Sequence, residues 1–391
     1  MLKYHIDILD TDLYKLTMQN AICTLYPKVL AEYTFKNRDN REFPDGFGKR
    51  LREIVDDFRR HTLNKDGFDF LKEKCYYLNP VYLDYLKGYR YDPNEVLIEQ
   101  EGSKLLVKVI GLWARTVLWE VPLMATISEL YFEMTGQKGE EDRTKRCGKV
   151  VKKATEFDMN KIYYSEFGTR RRYSFENQRE VIADLKDYGS TLVGTSNVFL
   201  AMAYNLMPSG TVAHEWYQFH GARYGYKAAN EMANEAWIQV YQGDLGTALT
   251  DTYTSDIFFE SFSTKYAKLF DGIRQDSGNP ITFIDKAVDH YKRLRINPMY
   301  KYAMFSDNLK SMDQIISIHN ACKDKIIDRY GIGTWLSNDV NVKPLNIVIK
   351  LTGVSFDSTW NSAVKLSDDI NKNNGNDKEV ELCKRTLGIT A

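Results

Sequence analysis

The chain of 391 residues has no excess of either charge: 53 Lys+Arg face 53 Asp+Glu, for a formal net charge of zero. That balance argues against a histone-like or DNA-coating protein, which needs a large basic excess. Anionic small molecules stay open, because a site can be locally basic on a neutral chain. Cysteine is scarce as well. Cys23, Cys75, Cys147, Cys322 and Cys383 are scattered, odd in number and never in a CxxC pair. Neither a zinc cluster nor a disulfide framework is expected, and a reducing cytoplasm is the natural home. Long apolar runs are missing too. The start, MLKYHIDILDTDLYKL, carries Asp7, Asp10 and Asp12 where a secretory signal needs uninterrupted apolar residues. The best membrane candidate, Val109–Ile127, is interrupted by Arg115 and Glu120, with Pro122 following.

Familiar nucleotide and metal fingerprints are also absent. There is no GxxxxGK[ST] loop. Gly331-Ile332-Gly333 is not a dinucleotide fingerprint, because Leu336 stands where the third glycine belongs. His214-Glu215 opens like HExxH, but Gln218 takes the second histidine's place and the next histidine is His220.

Hydrophobic residues make up 43% and charged residues 27%, which fits a globular protein with enough apolar side chains for a core. Residues 1–135 read as a mixed α and β domain. Asp12 precedes LYKLTMQNAICTLY, where Leu13, Leu16, Ile22 and Leu25 suit a helix. Ala31–Phe35 reads as a strand, and Leu51–Thr62 and Pro80–Gly88 as helices. Val96–Ile110 alternates as two strands around Gly102, and Pro122–Thr135 is a helix ended by Gly136. The polar tract Asn371–Asp377 is expected to be a surface turn before a last helix. That C-terminal segment, 365–391, is expected to join the first domain, leaving 136–364 as the second.

Within 136–364 a rhythm appears. Short β-prone runs end in polar or glycine-rich tetrads: 162–170, 191–197, 211–216, 246–252, 270–278, 302–308, 326–334 and 345–353. Helical patterns follow most of them, at Phe175–Leu185, Val198–Leu206, Ala222–Tyr241, Pro280–Leu294 and Leu309–His319. Strands alternating with helices predict an irregular (β/α) barrel, with a doubly wound sheet as the alternative. In either fold, ligands bind beyond the carboxyl ends of the strands. The tetrads lie there. They bring Phe167, Arg170, Thr195, Ser196, His214, Asp251, Arg274, Asp276, Asp307, Gly331, Gly333, Thr334 and Lys350 to one mouth. Glycines and hydroxyls hold phosphate, and acids hold ribose hydroxyls or Mg²⁺, so the mixture suits a phosphorylated sugar with a divalent metal. His214, expected at a strand end, could serve as a base or a nucleophile. Its bland reading is a structural histidine; for Ser196 and Asp307 it is a helix N-cap. In the run Arg170-Arg171-Arg172, strand alternation lets at most two side chains share the mouth, with Arg170 facing in.

These residues carry a family likeness. Asp12-Leu-Tyr-Lys-Leu-Thr-Met-Gln19, Leu118-Trp-Glu-Val-Pro-Leu123, Phe167-Gly-Thr-Arg-Arg-Arg172, Gly194-Thr-Ser-Asn197 and Ala213-His-Glu-Trp216 open the series. Ala248-Leu-Thr-Asp251, Asp276-Ser-Gly278, Phe305-Ser-Asp-Asn-Leu309, Gly331-Ile-Gly-Thr334 and Val342–Lys350 continue it in order. The chain resembles the nicotinate phosphoribosyltransferases of bacterial type. The resemblance implies an irregular α/β barrel of type II phosphoribosyltransferases with an N-terminal α/β domain, working as a cytoplasmic homodimer with active sites at the subunit interface. It implies an ATP-dependent reaction of nicotinate with phosphoribosyl pyrophosphate (PRPP). The products are nicotinate mononucleotide and pyrophosphate, with ADP and phosphate from ATP, in NAD salvage. By position, His214 would be phosphorylated by ATP. Phe167 would stack on one face of the pyridine ring, and the partner subunit's Tyr14 on the other. Arg274 would meet the carboxylate or the ribose, and Asp276 the ribose. Gly331, Gly333 and Thr334 would hold the 5′-phosphate, while Arg38 and Lys350 would contact phosphate or ATP. Mg²⁺ is implied, with its ligands unspecified, and no nucleic acid or membrane partner is. Where nicotinamide-using relatives carry an aspartate after Gly-Thr, this chain has Ser196, which favours the acid. Tyr330, before the Gly-Ile-Gly-Thr turn, replaces a familiar phenylalanine. Two alternatives remain at this point: a quinolinate- or nicotinamide-using relative, and a non-catalytic binding protein on the same fold. Intact His214, Arg274 and Asp276 argue against the second.

Overall fold

The computed structural model describes residues 7–210 and 212–389. Its strands are β1 (Leu30–Asn37), β2 (Val96–Glu101), β3 (Lys104–Leu112), β4 (Tyr164–Glu166), β5 (Leu192–Thr195), β6 (Met207–Pro208) and β7 (Gln242–Leu245). After them come β8 (Thr247–Leu249), β9 (Gly272–Gln275), β10 (Tyr302–Phe305), β11 (Ile327–Ile332), β12 (Ile347–Ser355) and β13 (Trp360–Ser362). Two sheets form. One is five-stranded and antiparallel, in the order β13-β12-β1-β3-β2. The other is seven-stranded and parallel, in the order β6-β5-β4-β11-β10-β9-β8, and curls into a half-barrel.

Local sequence explains the first sheet. Gly102, at φ 57°, makes the left-handed turn between β2 and β3. Leu105, Val107 and Val109 point inward while Lys104, Leu106 and Lys108 point out, the period of two that half-covers a sheet. Helix Glu120–Thr135 stops at Gly136, φ 63°, the left-handed residue that closes a helix C-terminus.

Several expectations are corrected. The run 345–353 is not a barrel strand. It lies in β12, which pairs antiparallel with all of β1 from Leu30↔Ser355 to Asn37↔Ile347. Ile347, Val348, Ile349, Leu351 and Val354 are buried. A strand covered on both faces reads like a parallel barrel strand, so periodicity could not separate them. The run 211–216 is not a strand either. Thr211 lies outside the described residues, β6 ends at Pro208, and His214 opens a helix, His214–Tyr224. The pattern Ala222–Tyr241 is broken at Gly225, φ 86°, and resumes as helix Ala229–Tyr241. Neither Ser196 nor Asp307 caps a helix: Asn197 and Ser311 do, through side-chain acceptance from Leu200 N and Gln314 N. Helices Lys65–Lys74 and Arg143–Asn160 escaped the reading; the latter buries only a thin stripe at Val150, Lys153, Ala154 and Phe157.

Helix Leu13–Leu25 is buried along most of its length, polar positions included. Gln19 Nε2 donates to Ala114 O at 2.7 Å, Asn20 Nδ2 donates to Tyr241 Oη at 3.0 Å, and Lys15 is ion-paired. Buried polar groups need such partners, which is why this helix is wedged between elements instead of lying on the surface. Its entry is sewn to the β5 loop: Leu13 N donates to Ser196 O and Val198 N to Thr11 O. The helix start thereby sits over the carboxyl ends of the parallel strands. Among the described residues no helix is long and apolar enough to cross a membrane.

Candidate active site

A cavity opens at those strand ends. Tyr14, Phe167, Arg170, Ser196, His214, Arg274, Asp276, Gly331, Gly333 and Lys350 all line it. Five other expected residues stand back, one of them Asp251, which is fully buried. Thr195 is fully buried and donates its hydroxyl to Glu166 Oε2 at 2.7 Å. Asp307 is half-buried and ion-paired with Lys372. Thr334 opens the four-residue helix Thr334–Ser337 beyond Gly333, outside the lining. Arg38 is exposed just past β1, outside the lining, but close enough for its charge to be felt at Lys350 and Arg171.

His214 occupies the first turn of its helix and is buried. Its Nδ1 lies 2.9 Å from Thr252 Oγ1, and its Nε2 lies 3.1 Å from Asp276 Oδ2 and 3.0 Å from Lys365 Nζ. Burial, and next the charge of Lys365, lower its pKa to about 4 against the pull of Asp251 and Asp276. The ring is therefore neutral at pH 7. Burial alone would raise Asp276, but Arg274, then His214 and Lys365, hold its carboxyl well below the usual range. Ser306 Oγ donates to Asp276 Oδ1 at 2.8 Å and fixes the carboxylate plane. Donor atoms of His214, Asp251 and Asp276 lie within 4.8 Å of one another, and Asp251 Oδ1 is buried with no hydrogen-bond partner among the described residues.

The other wall is aromatic and basic. Gly331 lets the Phe167 ring lie against the backbone: a Cβ there would meet ring carbons at 2.4 Å. The arginine triplet is not on a strand but in a 3-10 turn, Thr169–Arg171. Arg170 and Arg171 line the cavity. Arg172 turns away and is buried in a bidentate pair with Asp10 at 2.7 Å, with Glu129 at 2.8 Å. The Arg170 guanidinium lies 5.8 Å from the Tyr14 ring centroid. The chain's own Tyr14 thus lines this cavity; the partner subunit's Tyr14 remains what the likeness implies.

Several charged neighbours of the site were not anticipated, among them Asp12, Lys15 and Glu166. Ser196 Oγ donates to Asp12 Oδ1 at 2.7 Å, so a carboxylate does stand beside the position that lacks an aspartate. Burial raises the pKa of Asp12, and Arg170, with Nε 3.6 Å from Oδ2, only partly opposes it. Lys15 is fully buried between Glu120 at 2.5 Å and Glu215 at 2.9 Å. Lys350 is driven down to about 7 by burial and then by Lys365. Behind the wall, Glu166 is pushed up to about 7 by burial. It accepts from Gly168 N at 2.6 Å as well as from Thr195, tying together the two loops that carry Phe167 and Ser196. A signal was available: Asp12, Glu120 and Lys365 each interrupt apolar stretches, and a charge there points to a buried pair.

Residues 162–391 match the model of the nicotinate phosphoribosyltransferase (NAPRTase) family, and residues 9–128 match that family's N-terminal domain. The chain belongs to the nicotinate phosphoribosyltransferase family. A nicotinate phosphoribosyltransferase of Desulforapulum autotrophicum is 49% identical, covering 97% of this chain and 98% of that protein. One of Chromohalobacter salexigens is 46% identical over 98% of both. Among solved structures, the Porphyromonas gingivalis nicotinate phosphoribosyltransferase superposes with a TM-score of 0.96 at 43% identity, over 98% of this chain and 100% of that one. The half-barrel and the five-stranded sheet are thus the architecture of this family.

Proposed function

We propose that this chain joins nicotinate to PRPP, releasing nicotinate mononucleotide and pyrophosphate, and that ATP drives the step through phosphorylation of His214. The observation that supports this best is a buried His214, its pKa lowered by burial, in one cavity with Asp276, Arg274 and Phe167. A neutral imidazole nitrogen is a competent nucleophile toward a γ-phosphoryl group at pH 7. Phe167 and Tyr14 would flank the pyridine ring, each such contact adding about 0.5–1.5 kcal/mol beyond area burial. Arg274 would meet the substrate carboxylate or the ribose. Asp276 would hold the ribose and steady positive charge at the anomeric carbon. Gly331 and Gly333 give a phosphate close backbone approach, with Thr334, Arg38 and Lys350 nearby.

The donor set suits Mg²⁺, because Asp251 and Asp276 offer hard oxygens and Asp251 Oδ1 has none of its hydrogen-bonding capacity used. When bound there, the metal would neutralise phosphate charge. A homodimer is part of the reading. Leu30, Leu97, Leu106 and Leu112 share one exposed face of the five-stranded sheet, which a second copy would cover. Sedimentation should then give twice the chain mass. Five free cysteines fit a reducing cytoplasm. The test is His214→Ala, which should abolish ATP hydrolysis yet leave slow, ATP-independent turnover at high PRPP. Full ATP coupling in that variant would overturn the phosphohistidine assignment.

A further inference from the structure

Lys365 lies far from His214 in sequence, yet the fold delivers it to the ring. Leu366 N donates to Thr252 O at 2.8 Å, so the segment carrying Lys365 is stitched to the one carrying Asp251 and Thr252. Lys365 N and O also pair with Asn374 O and N at 2.7 and 2.9 Å, which fixes the backbone on its other side. The Lys365 side chain is 4% exposed. Asp251 Oδ2 is 3.6 Å away, and the acceptor within hydrogen-bond reach among the described residues is His214 Nε2, at 3.0 Å.

Nε2 is contested, because Asp276 Oδ2 stands 3.1 Å from it. A neutral ring can satisfy only one of the two. With a proton on Nε2, the ring would donate to Asp276 and leave a buried ammonium facing another donor. With the proton on Nδ1, Thr252 Oγ1 accepts it at 2.9 Å and the Nε2 lone pair accepts from Lys365. Asp276 tolerates the second arrangement better. Its side chain is 31% exposed, so water can reach it, and Ser306 already donates to it. Stranding a buried charge costs more than returning a half-exposed one to water.

We propose that Lys365 is a positioning residue that holds His214 in the Nδ1–H form, keeping Nε2 unprotonated and its lone pair on the ammonium until a phosphoryl group arrives. The inference deepens the phosphohistidine reading and, for its transfer step, rests on it. Nε2 forms the N–P bond to the γ-phosphorus. The bond from that phosphorus to the ADP oxygen breaks, and the electron pair leaves on ADP. The proton stays on Nδ1, held by Thr252, while the ammonium moves its hydrogen bond from Nε2 to a phosphoryl oxygen.

The test is ¹⁵N NMR of the imidazoles in the full-length protein at pH 7, with His214 signals identified by their loss in His214→Ala. The wild type should show the Nδ1–H pattern. Lys365→Met should convert it to Nε2–H, and Lys365→Arg should preserve it. An Nε2–H pattern in the wild type overturns the proposal, as does an unchanged pattern in Lys365→Met. If Lys365→Met does not fold, the wild-type spectrum still decides. Labelling with γ-³²P-ATP supplies the second arm: Lys365→Met should form phosphoenzyme at least tenfold more slowly, with partial rescue by Lys365→Arg. Wild-type labelling in Lys365→Met also overturns the proposal. Absence of label in the wild type defeats the phosphohistidine reading instead, and leaves the tautomer result to stand by itself.

Discussion

Replacing Ser196 by aspartate tests how this cavity discriminates an acid from an amide. Ser196 Oγ lies 2.7 Å from Asp12 Oδ1, and both residues line the cavity. Ser196→Asp sets a second carboxylate beside Asp12 and toward the ring substituent. Two like charges about 4 Å apart repel by roughly 4 kcal/mol at an effective dielectric of 20. Arg170, 3.6 Å from Asp12, offsets part of that. The two acids can also share a proton, as neighbouring carboxylates do, which would blunt the effect at low pH. A net loss of at least tenfold in kcat/KM for nicotinate is expected, about 1.4 kcal/mol. Nicotinamide, which is uncharged, should lose less, and the gap between the two should widen from pH 6 to pH 8.5. Ser196→Asn controls for shape, since its amide has the size of a carboxylate, carries no charge and keeps a donor for Asp12. Unchanged kcat/KM for nicotinate in Ser196→Asp would refute the charge argument. An equal loss in Ser196→Asn would reassign the effect to side-chain size.

Gly331→Ala should push the Phe167 ring aside, because the new methyl would meet its carbons at 2.4 Å; the nicotinate KM should rise more than tenfold while thermal stability changes little. Glu166 holds its proton up to about pH 7 when folded, against an ordinary value of 4.5. Stability should therefore fall as pH rises through that window, by about 3 kcal/mol in total. Urea midpoints at pH 5 and pH 7.5 should show the fall in the wild type and a flatter response in Glu166→Gln. Arg172→Met leaves Asp10 and Glu129 buried without their cation. A loss of about 3–5 kcal/mol in urea unfolding is expected, and a loss under 1 kcal/mol would count against the network.

What the sequence made legible follows from the range of each interaction. The β2–β3 hairpin was readable because Gly102 and the alternation on either side are local. The helix ended by Gly136 was readable for the same reason. The eighth strand was misplaced because Ile347–Ile349 is apolar without a break, and only its partner, β1, shows which sheet it joins. Val212 carries the β-branched signal that masked the helix beginning at His214. The tetrads pointed to the cavity because strand ends gather in any α/β sheet. Lys15 between Glu120 and Glu215, Asp12 against Ser196, and Lys365 against His214 could not be paired from sequence. Their separations run from 105 residues for Lys15 and Glu120 to 200 for Lys15 and Glu215. What could be seen was a charge placed inside an apolar stretch.

The most direct measurement is product analysis of the purified chain with nicotinate, PRPP and Mg²⁺, with and without ATP. The account predicts nicotinate mononucleotide and pyrophosphate in both, formed much faster with ATP and accompanied by ADP and phosphate. No nicotinate mononucleotide under either condition would contradict it.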